Sequence, residues 1–133
     1  MQKRKTSELY EVYRELEDSA SEMNHAVDGV IVEGPHDKKT LALLGYEGPI
    51  ITCSGKRSHV ELAEFVAKKF SRVVVLTDFD EAGKDLNRRL SKLLEMKQVK
   101  VEHFYRKKFQ RLLKEARIFT IEAIYRLKLE PFD

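Results

Sequence analysis

The feature that most constrains this chain is a set of short, β-branched apolar runs, each followed by a stretch with helical periodicity. Gly29-Val30-Ile31-Val32, Pro49-Ile50-Ile51-Thr52-Cys53 and Arg72-Val73-Val74-Val75-Leu76-Thr77 are too short for buried helices and too apolar for a half-exposed sheet. Val99-Lys100-Val101-Glu102 alternates instead, as an edge strand does. Between the runs lie His36 to Leu44, a segment opened by Ser58 with Leu62, Val66 and Phe70 on one face, and a segment gathering Leu86, Leu90, Leu93 and Leu94. Gly45 is placed to end the first of these helices. Alternating strands and helices imply right-handed crossovers and a mainly parallel four-stranded sheet with helices on both faces.

Helices flank this α/β unit. Leu9, Val12, Tyr13, Leu16, Ala20 and Met23 form one apolar stripe, which predicts an N-terminal helix over about 6–24 with Thr6 or Ser7 as its cap. A helical tail of two helices is expected over about 104–129, with Phe109, Leu112, Leu113 and Ala116 on one face. At 133 residues the chain has room for one core, so residues 1–133 read as a single domain.

Composition narrows the function. No apolar run approaches the ~20 residues of a membrane span. The basic start Met1-Gln2-Lys3-Arg4-Lys5 runs into polar residues and not into the apolar core of a secretory signal. Cys53 is the sole cysteine, which excludes an intrachain disulfide and points to the cytoplasm. The net charge of +3 does not by itself announce nucleic-acid binding. Its distribution is more telling: residues 1–28 carry 4 basic and 7 acidic side chains, and residues 103–133 carry 8 and 4. Lys107, Arg111 and Lys114 share a helix face, a candidate nucleic-acid track with a solvated surface as the alternative. Tyr105 lies close to that face, as a stacking candidate or a core residue.

Ligands of open parallel sheets bind beyond the carboxyl ends of the strands. Here those ends carry Glu33-Gly34, Cys53-Ser54-Gly55-Lys56-Arg57 and Asp78-Phe79-Asp80. If the first and third strands are neighbours, three carboxylates converge on one rim. Such a cluster repels itself unless a cation intervenes, and Mg²⁺ suits oxygen ligands of this kind. Solvated loop acids are the alternative. Gly34 and Gly83 offer positive φ or close backbone approach, and the helix near Gly83 offers amides to a phosphate. Lys56, Arg57 and Lys84 are phosphate-binding candidates. Gly55-Lys56-Arg57 is not a P-loop, since Arg57 stands where Ser or Thr is required. His25, His36, His59 and His103 lack zinc-ligand spacing, and Cys53 reads as a small buried thiol.

The strings Val-Ile-Val-Glu-Gly-Pro-His-Asp (30–37) and Val-Val-Val-Leu-Thr-Asp-Phe-Asp-Glu-Ala-Gly-Lys-Asp (73–85) resemble the two motifs of the Toprim domain, over about residues 27–102. The size and the second string are similar to stand-alone small Toprim proteins, including the archaeal group, and to a ribonuclease that matures ribosomal RNA. The resemblance implies a Toprim-type, Rossmann-like fold. It also implies Glu33 as general acid or base that also touches metal, with Asp78 and Asp80 holding Mg²⁺, or Mn²⁺ in its place. Gly34 and Asp37 match the supporting Glu-Gly-x-x-Asp pattern. The implied activity is Mg²⁺-dependent phosphodiester cleavage of structured RNA or DNA. Ribonucleoprotein or replication and repair proteins are the implied partners, and a homodimer is compatible. No catalytic tyrosine domain or primase zinc region accompanies the motifs. The competing expectation is a non-catalytic nucleic-acid or ribonucleoprotein binding module that retains the metal site.

Overall fold

The computed structural model describes residues 2–124. The elements run α1 (Gln2–Ala26), β1 (Gly29–Val32), α2 (Pro35–Leu44), β2 (Ile50–Thr52), α3 (His59–Lys69), β3 (Arg72–Val75), α4 (Glu81–Met96), β4 (Lys100–Val101) and α5 (His103–Glu115). The four strands form one sheet in the order β2-β1-β3-β4, with every pairing parallel. The architecture is α/β and Rossmann-like, as expected, and β4 is an edge strand.

Successive residues of a strand point to opposite faces, and the core divides accordingly. Val30, Val32, Val74 and Leu76 face a cluster with α1, α2 and α5, in which Leu16, Met23, Leu41, Phe109 and Leu112 are fully buried. Ile31, Ile51, Val73 and Val75 face a second cluster with Leu62 and Val66 of α3 and Leu90 and Leu94 of α4. Both faces of β1 are thus covered, which explains its unbroken apolar composition. Each fully buried aliphatic side chain contributes about 1.5–3 kcal/mol.

Local signals fix the helix ends. Ser58 and Glu61 form a capping box at the start of α3, the Ser58 hydroxyl accepting from the Glu61 amide and the Glu61 carboxylate from the Ser58 amide. Gly45 ends α2 at φ 108°, a left-handed position that favours glycine. The expectation for α1 needs correction. It begins at Gln2, so Thr6 and Ser7 lie inside the helix and not at its start. In the tail, α5 matches the first expected helix. Thr120 to Ala123 follow it in bends and turns, and residues 125–129 of the expected second helix lie outside the described residues.

Candidate active site

The register of β1 against β3 builds the rim. Ile31 pairs with Val75, and the Leu76 amide bonds the Ile31 carbonyl at 2.7 Å. Glu33 and Thr77 therefore leave the sheet side by side, with Asp78 one residue further on. The Glu33 carboxylate bridges the two strand ends by accepting the Asp78 amide at 2.9 Å. The adjacency of the first and third strands, on which the expected convergence of Glu33 and Asp78 depends, is present.

Every acidic side chain here is fixed by a backbone amide. Asp78 Oδ1 accepts from the Ile121 amide at 3.0 Å. Asp80 Oδ1 accepts from the Gly83 amide at 2.8 Å and so caps α4. Asp37 Oδ2 accepts from the Gly34 amide at 3.0 Å and holds the turn that follows Glu33. Phe79 turns into the core between the two loop aspartates. Its amide donates to the Phe119 carbonyl at 2.7 Å. The segment after α5 is therefore stitched across the Asp-Phe-Asp loop.

The two glycines differ from one another. Neither takes a positive φ; the positive-φ glycines among the described residues are Gly45 and Gly55. Gly83 is required by close approach, because a Cβ there would collide with the Asp78 carbonyl. Its amide is taken by Asp80, so this one amide of the α4 N-terminus is already engaged. Gly34 is extended, with φ −146°, and a Cβ there would meet no described atom within 4 Å. The space beside Glu33 is thus left open.

Beneath the rim lies Arg106, which is not among the expected site residues. It reaches from α5, is 6% exposed, and donates to the Thr77 carbonyl at 2.7 Å and the Asp78 carbonyl at 3.1 Å. Its Cζ lies 4.4 Å from the centroid of the Phe79 ring, a cation–π contact. Burial pushes its pKa down to about 10, against the opposing pull of Glu33 and Asp78. It is therefore charged at neutral pH and places one fixed positive charge under the carboxylates. A signal did exist in the sequence. Arg106 stands three residues before Phe109 and seven before Leu113, which puts it on the apolar face of α5.

The electrostatics record the crowding. The Asp78 pKa is raised to about 6, first by burial and then by Glu33, Asp37 and Asp80, against the Ile121 amide. Burial also raises that of Asp37, with Glu122 adding to it. Such shifts concentrate at functional sites. The donor set is all oxygen and all acidic, which suits a hard cation. A carboxylate that accepts one amide retains further acceptor capacity. Among the described residues, however, no group of three His, Cys, Asp or Glu side chains is arranged to hold an ion. Mg²⁺ commonly takes one or two carboxylates and completes its shell with water and phosphate oxygens, so the set fits on those terms.

The basic candidates are dispersed. Lys56 and Arg57 are exposed in the β2–α3 loop, which joins the rim where the Ser54 amide bonds the Glu33 carbonyl at 3.0 Å. Lys84 is half-buried in the first turn of α4. On α5, Arg111 lies 3.9 Å from Glu15 of α1 and 3.6 Å from Glu115. All three expected track residues, Lys107, Arg111 and Lys114, are exposed, and Arg111 has these acidic neighbours. Tyr105 is half-buried against the core. His36 is exposed, 3.9 Å from Glu122, and His59 lies 3.4 Å from Arg89. Cys53 is half-buried, and burial next to Glu33 and Asp37 pushes its thiol up to about 12. It is protonated and inert at neutral pH.

A parallel α/β sheet with carboxylates gathered past two adjacent strand ends defines a class of phosphate- and metal-handling proteins. The match to known proteins is more specific. The Toprim domain family model matches residues 28–112, and the chain belongs to that family. A UPF0292 protein of Thermococcus onnurineus is 36% identical over 126 residues, covering 93% of this chain and 89% of the relative. One from Pyrococcus abyssi is 34% identical, covering 92% and 89%. A solved structure of an Aquifex aeolicus protein superimposes with a TM-score of 0.66 at 26% identity, covering 82% of this chain and 94% of that one. Membership in the family carries a metal-dependent, nucleic-acid-related function. No helix among the described residues is long and apolar enough to cross a membrane.

Proposed function

We propose that the chain is an Mg²⁺-dependent phosphodiester-cleaving enzyme acting on structured RNA or DNA in the cytoplasm. The observation that carries this reading is the 2.9 Å contact between Glu33 and the Asp78 amide, which sets a glutamate against the Asp-Phe-Asp loop. Asp78 and Asp80, with Glu33 beside them, would hold the ion. When bound, a divalent cation polarises phosphoryl oxygens and stabilises the charge that develops on them. Glu33 takes the proton of the attacking group or returns one to the leaving oxygen. The open space at Gly34 admits the phosphate. Lys56, Arg57 and Lys84 balance the charge of flanking phosphates. Arg106 fixes the loop carbonyls and is a positioning residue.

The test is cleavage of labelled structured RNA and of single- and double-stranded DNA in Mg²⁺, Mn²⁺ or EDTA. Product is expected with Mg²⁺ or Mn²⁺, absent in EDTA, and reduced by at least a hundredfold in Glu33→Gln and Asp78→Asn. If wild type yields no product under any metal while binding persists in both variants, the enzyme reading falls. The chain is then a binding module.

A further inference from the structure

The free edge of the sheet carries a second feature that the acidic rim does not use. Because β2 is the outermost strand, its far edge pairs with no other strand among the described residues. Along it runs an open groove of about 600 Å³, lined by all of β2, the β2–α3 loop and part of α3. That volume falls within the ~300–1,000 Å³ of small-ligand sites. Its apolar wall comes from Ile50, Ile51, Cys53 and Phe65, and its cations are Lys56 and Arg57. The acid in it, Glu61, is engaged in capping α3 through the Ser58 amide.

Two details give the groove a chemistry. The Arg57 guanidinium lies over the Phe65 ring, 3.8 Å from its centroid. A planar cation laid on an aromatic is held in one orientation, and its other face remains available to a second flat group. The Lys69 ammonium also lies over this ring, at 4.7 Å, so the surroundings are positive. The second detail is location. The loop carrying Lys56 and Arg57 starts from the Ser54 amide bonded to the Glu33 carbonyl. The groove therefore opens on the same strand-end side of the sheet as Glu33.

We propose that this groove is a single-strand subsite that holds one unpaired nucleotide beside the acidic rim. Its phosphate lies on Lys56 and Arg57, and its base stacks on the outer face of the Arg57 guanidinium that Phe65 supports. An unpaired base is required because a base inside a duplex already has both faces covered by its neighbours. The proposal rests on the reading of the rim as the place where a phosphodiester is handled, and it narrows the substrate to nucleic acid with a single-stranded segment at the reacting position.

The experiment measures fluorescence anisotropy of labelled single-stranded RNA and DNA decamers and of blunt duplexes of the same sequence. It is run in Mg²⁺ with Glu33→Gln as the background, so that strands stay intact. Single strands are expected to bind at least about tenfold tighter than duplex. Arg57→Lys keeps the charge and loses the plane, and Phe65→Leu keeps the apolar volume and loses the ring. Each is expected to weaken single-strand binding about tenfold with an unchanged melting temperature. One abasic position in the decamer should reproduce that loss and add nothing in Arg57→Lys. Equal binding of single strand and duplex overturns the proposal, as does unchanged affinity in both variants. No oligonucleotide binding at all also overturns it, leaving the β2 edge to a peptide strand. Cleavage by wild type with both variants binding normally removes the subsite and keeps the enzyme reading. Groove-dependent binding without cleavage removes the enzyme reading and keeps the subsite.

Discussion

The acidic rim and the basic groove sit side by side, yet they are built in opposite ways. Glu33, Asp37, Asp78 and Asp80 each accept a backbone amide, and a buried guanidinium ties down the loop between two of them. Lys56 and Arg57 are exposed and ride on a loop, ordered in the case of Arg57 by contact with a ring. Groups that must meet a reacting atom within a fraction of an ångström are held by the main chain. Groups that meet a strand by charge and stacking can be held by side chains alone. The difference predicts that damage to the rim is felt in folding, whereas damage to the groove is felt in binding.

The largest effect on stability is expected at Arg106. Arg106→Met leaves the Thr77 and Asp78 carbonyls without their donor and removes the charge beneath the carboxylates. A loss of about 3–5 kcal/mol is expected in urea unfolding, with partial recovery in Arg106→Lys. A loss below about 1 kcal/mol would break the comparison, because the rim would then not depend on its buried support.

Next come the two glycines. Gly83→Ala forces its methyl group against the Asp78 carbonyl and is expected to cost about 2–3 kcal/mol. Gly34→Ala meets open space and should cost less than about 1 kcal/mol, the ordinary penalty for alanine at a helix N-cap. If Gly34→Ala nonetheless slows cleavage severalfold, the space at that position belongs to the substrate.

A smaller effect of opposite sign is expected at Asp78. Its folded pKa of about 6 exceeds the ordinary 3.8, so the native state binds the proton more tightly than the unfolded chain between those values. Its contribution is therefore favourable below about pH 4 and is lost as pH rises through 6. Asp78→Asn can still accept the Ile121 amide. It should stabilise the metal-free protein by roughly 1–2 kcal/mol at pH 7.5, with the gain vanishing near pH 4. Thermal melts in EDTA across that range read the difference, and a pH-independent shift would contradict it. The smallest effect is at Arg111→Gln, within about 1 kcal/mol, since the side chains of its partners Glu15 and Glu115 are about half in solvent.

The strands were legible because Val-Ile-Val and Val-Val-Val-Leu have few other places to go in a parallel sheet, whereas the β2-β1-β3-β4 order was not. Glu33 and Asp78 followed directly, since both stand just past strand ends. The rest depended on tertiary contact. Arg106 sits among Lys107, Lys108 and Arg111, and composition alone makes it one more exposed cation of a basic helix. Gly34 and Gly83 look alike as turn glycines, and only the approach of the Asp78 carbonyl to Gly83 separates them. The approach of Glu15 to Arg111 depends on how α1 packs on α5 and has no signal in the sequence.

The stitching of residues 119 and 121 onto the Asp-Phe-Asp loop has a consequence for synthesis. All four strands leave the ribosome before Arg106, Phe119 and Ile121 do, and domains gain structure from the N-terminal side first. A nascent chain can thus pair its sheet while the loop still lacks its guanidinium, its carbonyl partner and the amide that holds Asp78. Among the described residues, the acidic rim is thus the last to gain its contacts, and a chain shortened before residue 119 would retain the motifs without these hydrogen bonds.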